Sequence, residues 1–338
     1  MLTLVGAGLG SIDDLTLKGE KALKECDFVY LDMYTSVMKD CATHLERISG
    51  KVVKLADREL LEESGEIIEN AIDHNVVLVV VGDPLGATTH TDIILKAVKR
   101  DVPFRIIHNT SILTAVGCCG LMLYNFGATV SIPFWDDFGA PRSFYDKIEW
   151  NFSRGLHTLC LLDIKVKERS LENILRERKI YEPPRFMSCE QAACQLMQII
   201  EERKDTESPP KLSPDCLVVG LARIGSEDQA IVVCRLREMS LDCSAATSGG
   251  DSQVSSPIST ALGGPLHSLV IPGLLHPSEQ DFLSARIQLK PSTSNGLPQV
   301  FFPYAKDEAS DNQSDALTRL HSLFDAHRLI VEAASVKK

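Results

Sequence analysis

The chain has 338 residues, of which 44% are hydrophobic and 24% are charged. This composition is typical of a folded globular protein and argues against a disordered chain. The formal net charge of -11 argues against a protein that coats nucleic acid without sequence preference, because such binding depends on clustered Lys and Arg. The length is enough for two domains of ordinary size.

Ten cysteines are spread along the chain without a C-x-x-C pair, and we interpret them as buried reduced thiols. Met1 leads directly into an apolar segment, and the start of the chain shows no basic leader, cleavage site or long apolar stretch. The sequence therefore predicts a cytoplasmic protein with no signal peptide and no membrane span.

Short apolar segments alternate with helical patterns in the first part of the chain. The predicted strands are Leu2–Val5, Phe28–Leu31, Val76–Val81 and Phe104–Ile107. Helical spacing groups Gly19, Ala22, Leu23 and Cys26, with Thr16 as a cap, then Ile67, Ile68, Ala71 and Ile72, then Ile94, Ala97 and Val98. Strands that alternate with helices predict a parallel sheet with right-handed crossovers. We assign residues 1–126 to an N-terminal α/β domain.

The second half is predicted to form another α/β domain. Residues 127–141 mix Gly, Pro, Trp and Asp, and we interpret them as the interdomain connection. The domain over residues 142–276 is predicted from helices at Phe144–Ser153 and after Ser188, and from strands at Leu159–Ile164, Cys216–Leu221 and Leu266–Ile271. Residues 242–264, rich in Ser, Gly, Ala and Thr, are predicted to be a flexible insertion in this domain.

Residues 277–338 are predicted to be a polar tail with a terminal helix. The apolar face of that helix carries Ala316, Leu317, Leu320 and Phe324.

The apolar run Val76–Val81 leads directly into Gly82, Asp83, Pro84, Leu85 and Gly86. A short apolar run of this kind is typical of a strand that is buried on both faces of a parallel sheet. Ligands bind at the carboxyl ends of such strands, and glycines allow the backbone to approach them closely. Asp83 is therefore a candidate ligand contact, and the alternative is an ordinary strand-to-helix turn.

Two other turns are candidate binding elements. Gly6–Gly10 resembles a dinucleotide-binding turn, and Asp32 lies at about the right distance, but Ser11 stands where the third glycine of that motif belongs. Ser111 and Ile112 are predicted to begin a helix of small residues that reaches Gly120, where first-turn amides could bind a carboxylate or Ser111 could simply cap the helix. His108 is interpreted as an ordinary buried or edge histidine.

The sequence contains no set of residues at metal-ligand spacing, no G-x-S-x-G elbow and no G-x-x-x-x-G-K-[ST] loop. No acid, base or nucleophile can be singled out from these patterns. We therefore name no catalytic residue, and we note that some group transfers require only that the reactants be positioned.

Several blocks together resemble one family. They are Leu9-Gly10, Tyr34-Thr35-Ser36, Ala56-Asp57-Arg58, Val80 to Pro84 with Gly86 to His90, Ile107-His108-Asn109, Gly117 to Gly120, His157 to Lys165, Tyr181 to Arg185, Val219 to Arg223 and Pro265 to Leu269. In this order, from Met1 to about Pro272, they resemble the eukaryotic diphthine synthases. These belong to the tetrapyrrole-methylase-like, class III, S-adenosylmethionine-dependent methyltransferases.

The resemblance implies two α/β domains with the cofactor cleft between them, and a homodimer. It implies S-adenosyl-L-methionine as cofactor and translation elongation factor 2 as protein substrate, with no direct nucleic-acid or membrane partner. The acceptor would be a histidine that already carries a 3-amino-3-carboxypropyl group. Three methylations of its amino group and one of its carboxylate would give diphthine methyl ester, on the route to diphthamide.

By matching motif positions, the resemblance also implies a set of cofactor contacts. Leu9, Asp83, Gly86, Ser111 and Ile112 would come from the first domain, and Leu162, Ile224 and His267 from the second. The 242–264 insertion looks longer than the family needs and precedes His267, so it could alter the position of that residue. Two alternatives are a tetrapyrrole acceptor on the same fold and a scaffold protein that binds the cofactor without turnover.

Overall fold

The computed structural model describes residues 1–34, 38, 40–136, 139–240, 257–286, 300–301 and 313–335. Most of the predicted 242–264 insertion therefore lies outside the described residues. Its last part contains a helix, Pro257–Leu262, whose Ile258 and Leu262 side chains are buried. The prediction of a flexible loop is wrong for that part, because Ile258 and Leu262 lie four residues apart and share one helical face.

The strands are β1 (Leu2–Gly6), β2 (Phe28–Asp32), β3 (Val53–Ala56), β4 (Val76–Val80), β5 (Phe104–Ile107), β6 (Val130–Ile132), β7 (Thr158–Leu162), β8 (Ile164–Lys165), β9 (Arg185–Phe186), β10 (Leu217–Ala222), β11 (Ala230–Arg235), β12 (His267–Ile271) and β13 (Val300–Phe301). The α-helices are Leu17–Glu25, Cys41–Ser49, Glu66–Asp73, Thr91–Lys99, Ile112–Ala115, Ser143–Phe152, Leu171–Leu175, Cys189–Arg203, Leu236–Met239, Pro257–Leu262, Pro277–Arg286 and Gln313–Ala334.

Five strands form a parallel sheet in the order β3-β2-β4-β1-β5, as the alternating pattern predicted. All five residues of β4 are buried, which agrees with an apolar run that has no polar alternation. The edge strand β3 was not predicted from the sequence, because Lys54 and Leu55 in its middle are both exposed.

Helices cover this sheet with the faces that their spacing indicates, except that Ile72 in the helix Glu66–Asp73 and Val98 in the helix Thr91–Lys99 are exposed. The helix Leu17–Glu25 begins after Thr16, whose side chain accepts a hydrogen bond from the Gly19 amide at 3.1 Å. The helix Thr91–Lys99 buries Ile93 and Ala97, and Ile94 packs half-buried against the core, so the predicted face is confirmed for Ile94 and Ala97 and wrong for Val98. Ile93 and Ala97 are four residues apart, so they lie on the same face of the helix.

A second sheet has six strands in the order β13-β11-β10-β12-β7-β6. β10 is antiparallel to β11 and β12, β12 is antiparallel to β7, and β6 is parallel to β7. The strand predicted over Leu159–Ile164 ends at Leu162, and Ile164 belongs instead to a small sheet formed by β8 and β9. The predicted capping box of Ser188 with Gln191 is present at the start of the helix Cys189–Arg203.

The chain after Pro277 contributes buried residues as well as polar ones. Helix Pro277–Arg286 buries Leu283, and helix Gln313–Ala334 buries Leu320 and His327. The terminal helix was predicted. The polar composition did not show that both helices would bury side chains.

The chain folds into two compact units. We call Met1–Ala115, Ile164–Arg185 and Ile224–Glu227 the first unit, and Val116–Asp163, Phe186–Arg223 and Asp228–Lys338 the second unit. Neither unit is continuous in sequence, and the domain limits predicted at residues 126 and 142 stay a prediction. Ile224, which was expected in the second domain, lies in the first unit.

No helix in the described ranges has both the length and the apolar composition needed to cross a bilayer. The same residues hold no cluster of His, Cys, Asp and Glu that could bind a metal ion. In the described part of the chain, eight cysteines are free thiols, and seven of them are buried. Cys194 departs from the expectation of reduced thiols, because it is bonded in a disulfide.

Candidate functional site

The carboxyl ends of β1, β4 and β5 lie side by side in the first unit. Gly6 is paired with Val80 in the sheet, and Val5 is paired with Ile107. Just past these ends, the Gly82 amide donates to the Gly8 carbonyl at 2.7 Å, and the Gly8 amide donates to the Gly82 carbonyl at 3.3 Å. Both glycines have φ near +80°, a conformation that favours glycine.

The Asp83 carboxylate holds the loop after β4 against the end of β5. Its Oδ1 accepts the Leu85 amide at 2.9 Å, and its Oδ2 accepts the Asn109 amide at 3.0 Å and His108 Nδ1 at 2.9 Å. Burial alone would raise the pKa of Asp83, but these hydrogen bonds together lower it below its ordinary value. Asp83 therefore organises this edge of the sheet as an anion, and His108 is its partner rather than an incidental histidine.

The backbone of Gly86 lies so close to the Ser111 side chain that a side chain at position 86 would clash with it. A Cβ at Gly86 would lie 2.5 Å from Ser111 Oγ and 3.3 Å from Asp83 Cβ. The structure therefore brings together three of the residues that the sequence predicted as contacts. Leu9, Gly82, Asp83, Gly86 and Ser111 are called the cradle below.

Leu9 and Ile224 lie at the same place in the first unit. A Cβ at Gly82 would lie 3.7 Å from Leu9 Cδ2, and a Cβ at Gly225 would lie 3.0 Å from Leu9 Cβ. Ile224 directly precedes Gly225 and is buried. Six of the eight predicted contacts thus belong to the first unit, since Ile112 follows Ser111 directly.

The helix that begins at Ile112 is shorter than predicted. It has four residues, Ile112–Ala115, and is followed by a 3-10 helix over Val116–Cys119. Ser111 Oγ accepts the Leu113 amide at 3.3 Å, so Ser111 caps the first turn, as one of the two alternatives held. The prediction of one helix that reaches Gly120 is wrong.

Leu162 and His267 belong to the second unit, as the last residue of β7 and the first of β12. His267 Nδ1 accepts the Cys189 amide at 3.3 Å, and its Nε2 lies 3.2 and 3.0 Å from the carbonyls of Gly263 and Gly264. Burial lowers the pKa of His267 below its ordinary value, which favours the neutral ring. Their part in cofactor binding stays a prediction.

The dinucleotide interpretation of the Gly6–Gly10 turn is disfavoured by two carboxylates. Asp14 Oδ2 accepts the amides of Gly10 at 2.8 Å and Leu9 at 3.2 Å, so the amides that a pyrophosphate would need already bind an anion. Asp32 is buried, and its Oδ2 lies 3.2 Å from His90 Nε2, so it does not reach out to a ribose.

Sequence reasoning missed the supporting roles of His90 and Asn109. His90 Nδ1 lies 3.1 Å from the Pro84 carbonyl, and Asn109 Nδ2 donates at 2.9 Å to the carbonyls of Gly6 and Asp14. Both residues stand in the blocks that carry the family resemblance, which was the available signal. Their partners could not be read from local spacing.

The sequence of this chain matches those of known proteins. A family model described as tetrapyrrole (corrin/porphyrin) methylases matches residues 1–240. A mouse protein named diphthine methyl ester synthase is 48% identical over 299 residues, which cover 88% of this chain and 100% of the mouse protein. A protein of the same name from Schizosaccharomyces pombe is 44% identical over 84% of this chain and 94% of its own length. The chain belongs to this family, among the diphthine methyl ester synthases.

Solved structures agree with that membership. A crystal structure of a diphthine synthase is 31% identical, with a TM-score of 0.65, and the match covers 84% of this chain and 94% of that one. A crystal structure of a protein from Entamoeba histolytica is 36% identical, with a TM-score of 0.68, and the match covers 86% and 99%. The family resemblance and the α/β fold class predicted from the sequence are confirmed, and the chain is a methyltransferase.

Proposed function

We propose that this methyltransferase uses S-adenosyl-L-methionine to modify translation elongation factor 2 in diphthamide biosynthesis. The acceptor is a histidine that carries a 3-amino-3-carboxypropyl group. Three amino methylations and one carboxylate methylation give diphthine methyl ester. The observation that carries this proposal is the 48% identity over the full length of the mouse diphthine methyl ester synthase. We place the enzyme in the cytoplasm, as a homodimer.

The cradle fits a nucleoside-containing cation better than a phosphate-containing ligand. The close contact of Gly86 with Ser111 lets a ligand approach bare backbone, and Asp83 keeps a negative charge beside it. The Asp14 carboxylate occupies the turn amides that a phosphate would need. The residues that would hold the cofactor are Leu9, Asp83, Gly86, Ser111, Ile112 and Ile224, together with Leu162 and His267.

The bound cofactor supplies a methyl group on a positively charged sulfur, which leaves as a neutral thioether and needs no proton. The protein must therefore hold donor and acceptor in line, and such alignment can supply about 7 to 11 kcal/mol of the barrier in well-oriented reactions. The attacking amine must be neutral, and water can accept its proton before the methyl group is transferred. We assign no general base and no catalytic residue.

The proposal is tested by incubating the purified protein with methyl-labelled S-adenosylmethionine and elongation factor 2 that carries the unmethylated intermediate. Label is expected on the modified histidine, and the mass of the product counts the methyl groups. Elongation factor 2 that lacks the 3-amino-3-carboxypropyl group is the matched control and should stay unlabelled. Absence of label on the modified factor would contradict the proposal.

A further inference from the structure

A basic segment of the first unit lies outside the cofactor contacts discussed so far. We call Ile164–Arg185 the basic arm. It contains seven Lys and Arg residues against four Glu, a net charge of +3, in a chain whose total is -11. The remainder of the chain therefore carries -14, and the basic arm reverses the charge that the rest of the protein presents to a partner.

The basic arm is a folded hairpin with its own internal hydrogen bonds. Its helix, Leu171–Leu175, begins after Ser170, and the Arg178 amide donates to the Asn173 carbonyl at 2.8 Å. Near the base, the Glu182 amide donates to the Glu168 carbonyl at 2.8 Å. These contacts hold the outgoing and returning segments together, so the arm presents a defined surface.

The basic arm is anchored at the same sheet edge as the cradle. Lys167 forms an ion pair with Asp57 and lies 5.2 Å from the centre of the Tyr181 ring. Asp57 directly follows β3, just as Asp83 follows β4 within three residues, and both stand at the carboxyl edge of the parallel sheet. The Asp57 carboxyl is partly buried, which raises its pKa, yet the Lys167 bond lowers it overall and keeps the pair ionised.

The helix of the arm exposes apolar residues on one face, and the exposed basic residues Arg178 and Lys179 follow it in the chain. Leu171, Ile174 and Leu175 stand at i, i+3 and i+4, on one face of the helix, and Leu175 is 75% exposed. Ile180, 57% exposed, lies close to the helix, because the Asn173 side chain donates to its carbonyl at 3.4 Å. Exposed apolar residues grouped in this way, with charges around them, mark interaction sites.

We propose that the basic arm docks the protein acceptor, through an acidic surface of that acceptor and apolar contact with Leu175 and Ile180. This inference rests on the proposed function, which requires a protein substrate beside the cradle. A two-fold contact of arm with arm would bring one +3 segment against another, and charge disfavours that contact. A contact of the arm with another part of a second copy is tested by the oligomeric state of the arm variants. An acidic partner is repelled by most of this protein and attracted by the arm.

Two double variants test the arm: Arg178→Glu with Lys179→Glu, which reverses its charge, and Leu175→Ser with Ile180→Ser, which removes its apolar surface. The acceptor protein is varied at saturating S-adenosylmethionine. Each double variant is expected to raise KM for the acceptor about tenfold, the loss of affinity typical when a central interface residue is removed. The values of kcat and of the Kd for S-adenosylmethionine are expected to stay within about twofold of the wild type. The charge-reversed variant should also lose most of the salt dependence of KM.

Matched controls use exposed residues elsewhere in the first unit. Lys18→Glu with Lys21→Glu controls for charge, and Leu17→Ser with Val52→Ser controls for exposed apolar area, since Leu17 and Val52 are 84% and 85% exposed. The controls should keep the wild-type KM for the acceptor. An unchanged KM in both arm variants, or a change of oligomeric state in either, would overturn the proposal.

Binding of the acceptor, measured separately by surface plasmon resonance without S-adenosylmethionine, distinguishes this inference from the proposed function. If the wild-type protein binds the acceptor and the arm variants do not, the arm is supported even where no methyl group is transferred. If all variants bind as the wild type does, the arm proposal fails even where methyl transfer succeeds.

Discussion

Asp83 is the residue on which the geometry of the cradle depends most. Its carboxylate accepts hydrogen bonds from Leu85, Asn109 and His108, so its removal leaves three donors unpaired and frees the loop that carries Gly86. We expect Asp83→Ala to weaken S-adenosylmethionine binding at least tenfold, about 1.4 kcal/mol. Calorimetry measures this directly, with the exposed Asp73→Ala as control. Unchanged affinity would remove Asp83 from the site.

Gly86 and Ser111 are expected to be energetically coupled. The added Cβ of Gly86→Ala would press on Ser111 Oγ, and we expect about a tenfold loss of S-adenosylmethionine affinity. In the Gly86→Ala, Ser111→Gly double variant the clash is absent, so its loss should be smaller than the sum of the two single losses. Ser111→Gly alone is the control. Strictly additive losses would show that the contact does not shape the site.

The roles of single residues could be predicted only in part. Asp83 was predicted as a site residue because it follows a buried strand and precedes a glycine turn. Its partner Asn109 stands 26 residues away, and Asp32 and His90 are 58 positions apart in the sequence. Such pairs depend on which strands become neighbours, and local spacing carries no information about that.

Among the elements, the parallel sheet was predictable and the second sheet was less so. β4 is apolar throughout because it is buried on both faces, and this pattern is visible in sequence. The two neighbours of β10 are the adjacent strand β11 and the more distant strand β12, and Val219 is paired to Val233 in one and to Val270 in the other. An apolar run indicates a strand there but does not indicate which strands will pair with it.

The two C-terminal helices hold buried ionisable groups that make the second unit sensitive to acid. Glu279 would have a raised pKa from burial alone, but hydrogen bonds from His157 and from the Met122 and His276 amides lower it to about 2. Burial lowers the pKa of His327 to about 4, where its Nδ1 accepts the Leu217 amide. In both cases protonation favours the unfolded state.

We therefore expect the free energy of unfolding of the second unit to fall as the solution is acidified. His327 loses its contribution between pH about 6.5 and 4, and Glu279 between about 4.5 and 2, each amounting to roughly 3 kcal/mol when lost completely. Urea titrations at pH 7.5, 5.5 and 4.5 measure the part due to His327, and both tryptophans, Trp135 and Trp150, report on the second unit.

His327→Gln is the test variant for this pH dependence. It removes the titrating ring, so stability should depend less on pH between 6.5 and 4 than in the wild type. His74→Gln, at an exposed position, is the control and should retain the wild-type dependence. If His327→Gln and the wild type lose stability equally over that interval, the burial argument is wrong.

For the whole molecule, ordered blocks from Met1 to about Pro272 were enough to identify the family, which the comparisons confirmed. They did not show that Ile164–Arg185 and Ile224–Glu227 would join the first unit. That assignment depends on contacts such as Lys167 with Asp57 and Gly225 with Gly10, which are formed by residues far apart in sequence. Length and composition predict two domains but cannot predict segments that are exchanged between them.

The central claim is that the cradle at the carboxyl edge of the parallel sheet binds the methyl donor. A crystal structure of the protein with S-adenosylhomocysteine, the product form of the cofactor, tests this claim most directly. The account predicts density for the ligand in contact with Leu9, the Asp83 to Gly86 loop and Ser111. Density for the ligand elsewhere, with these residues in contact only with solvent, would contradict it.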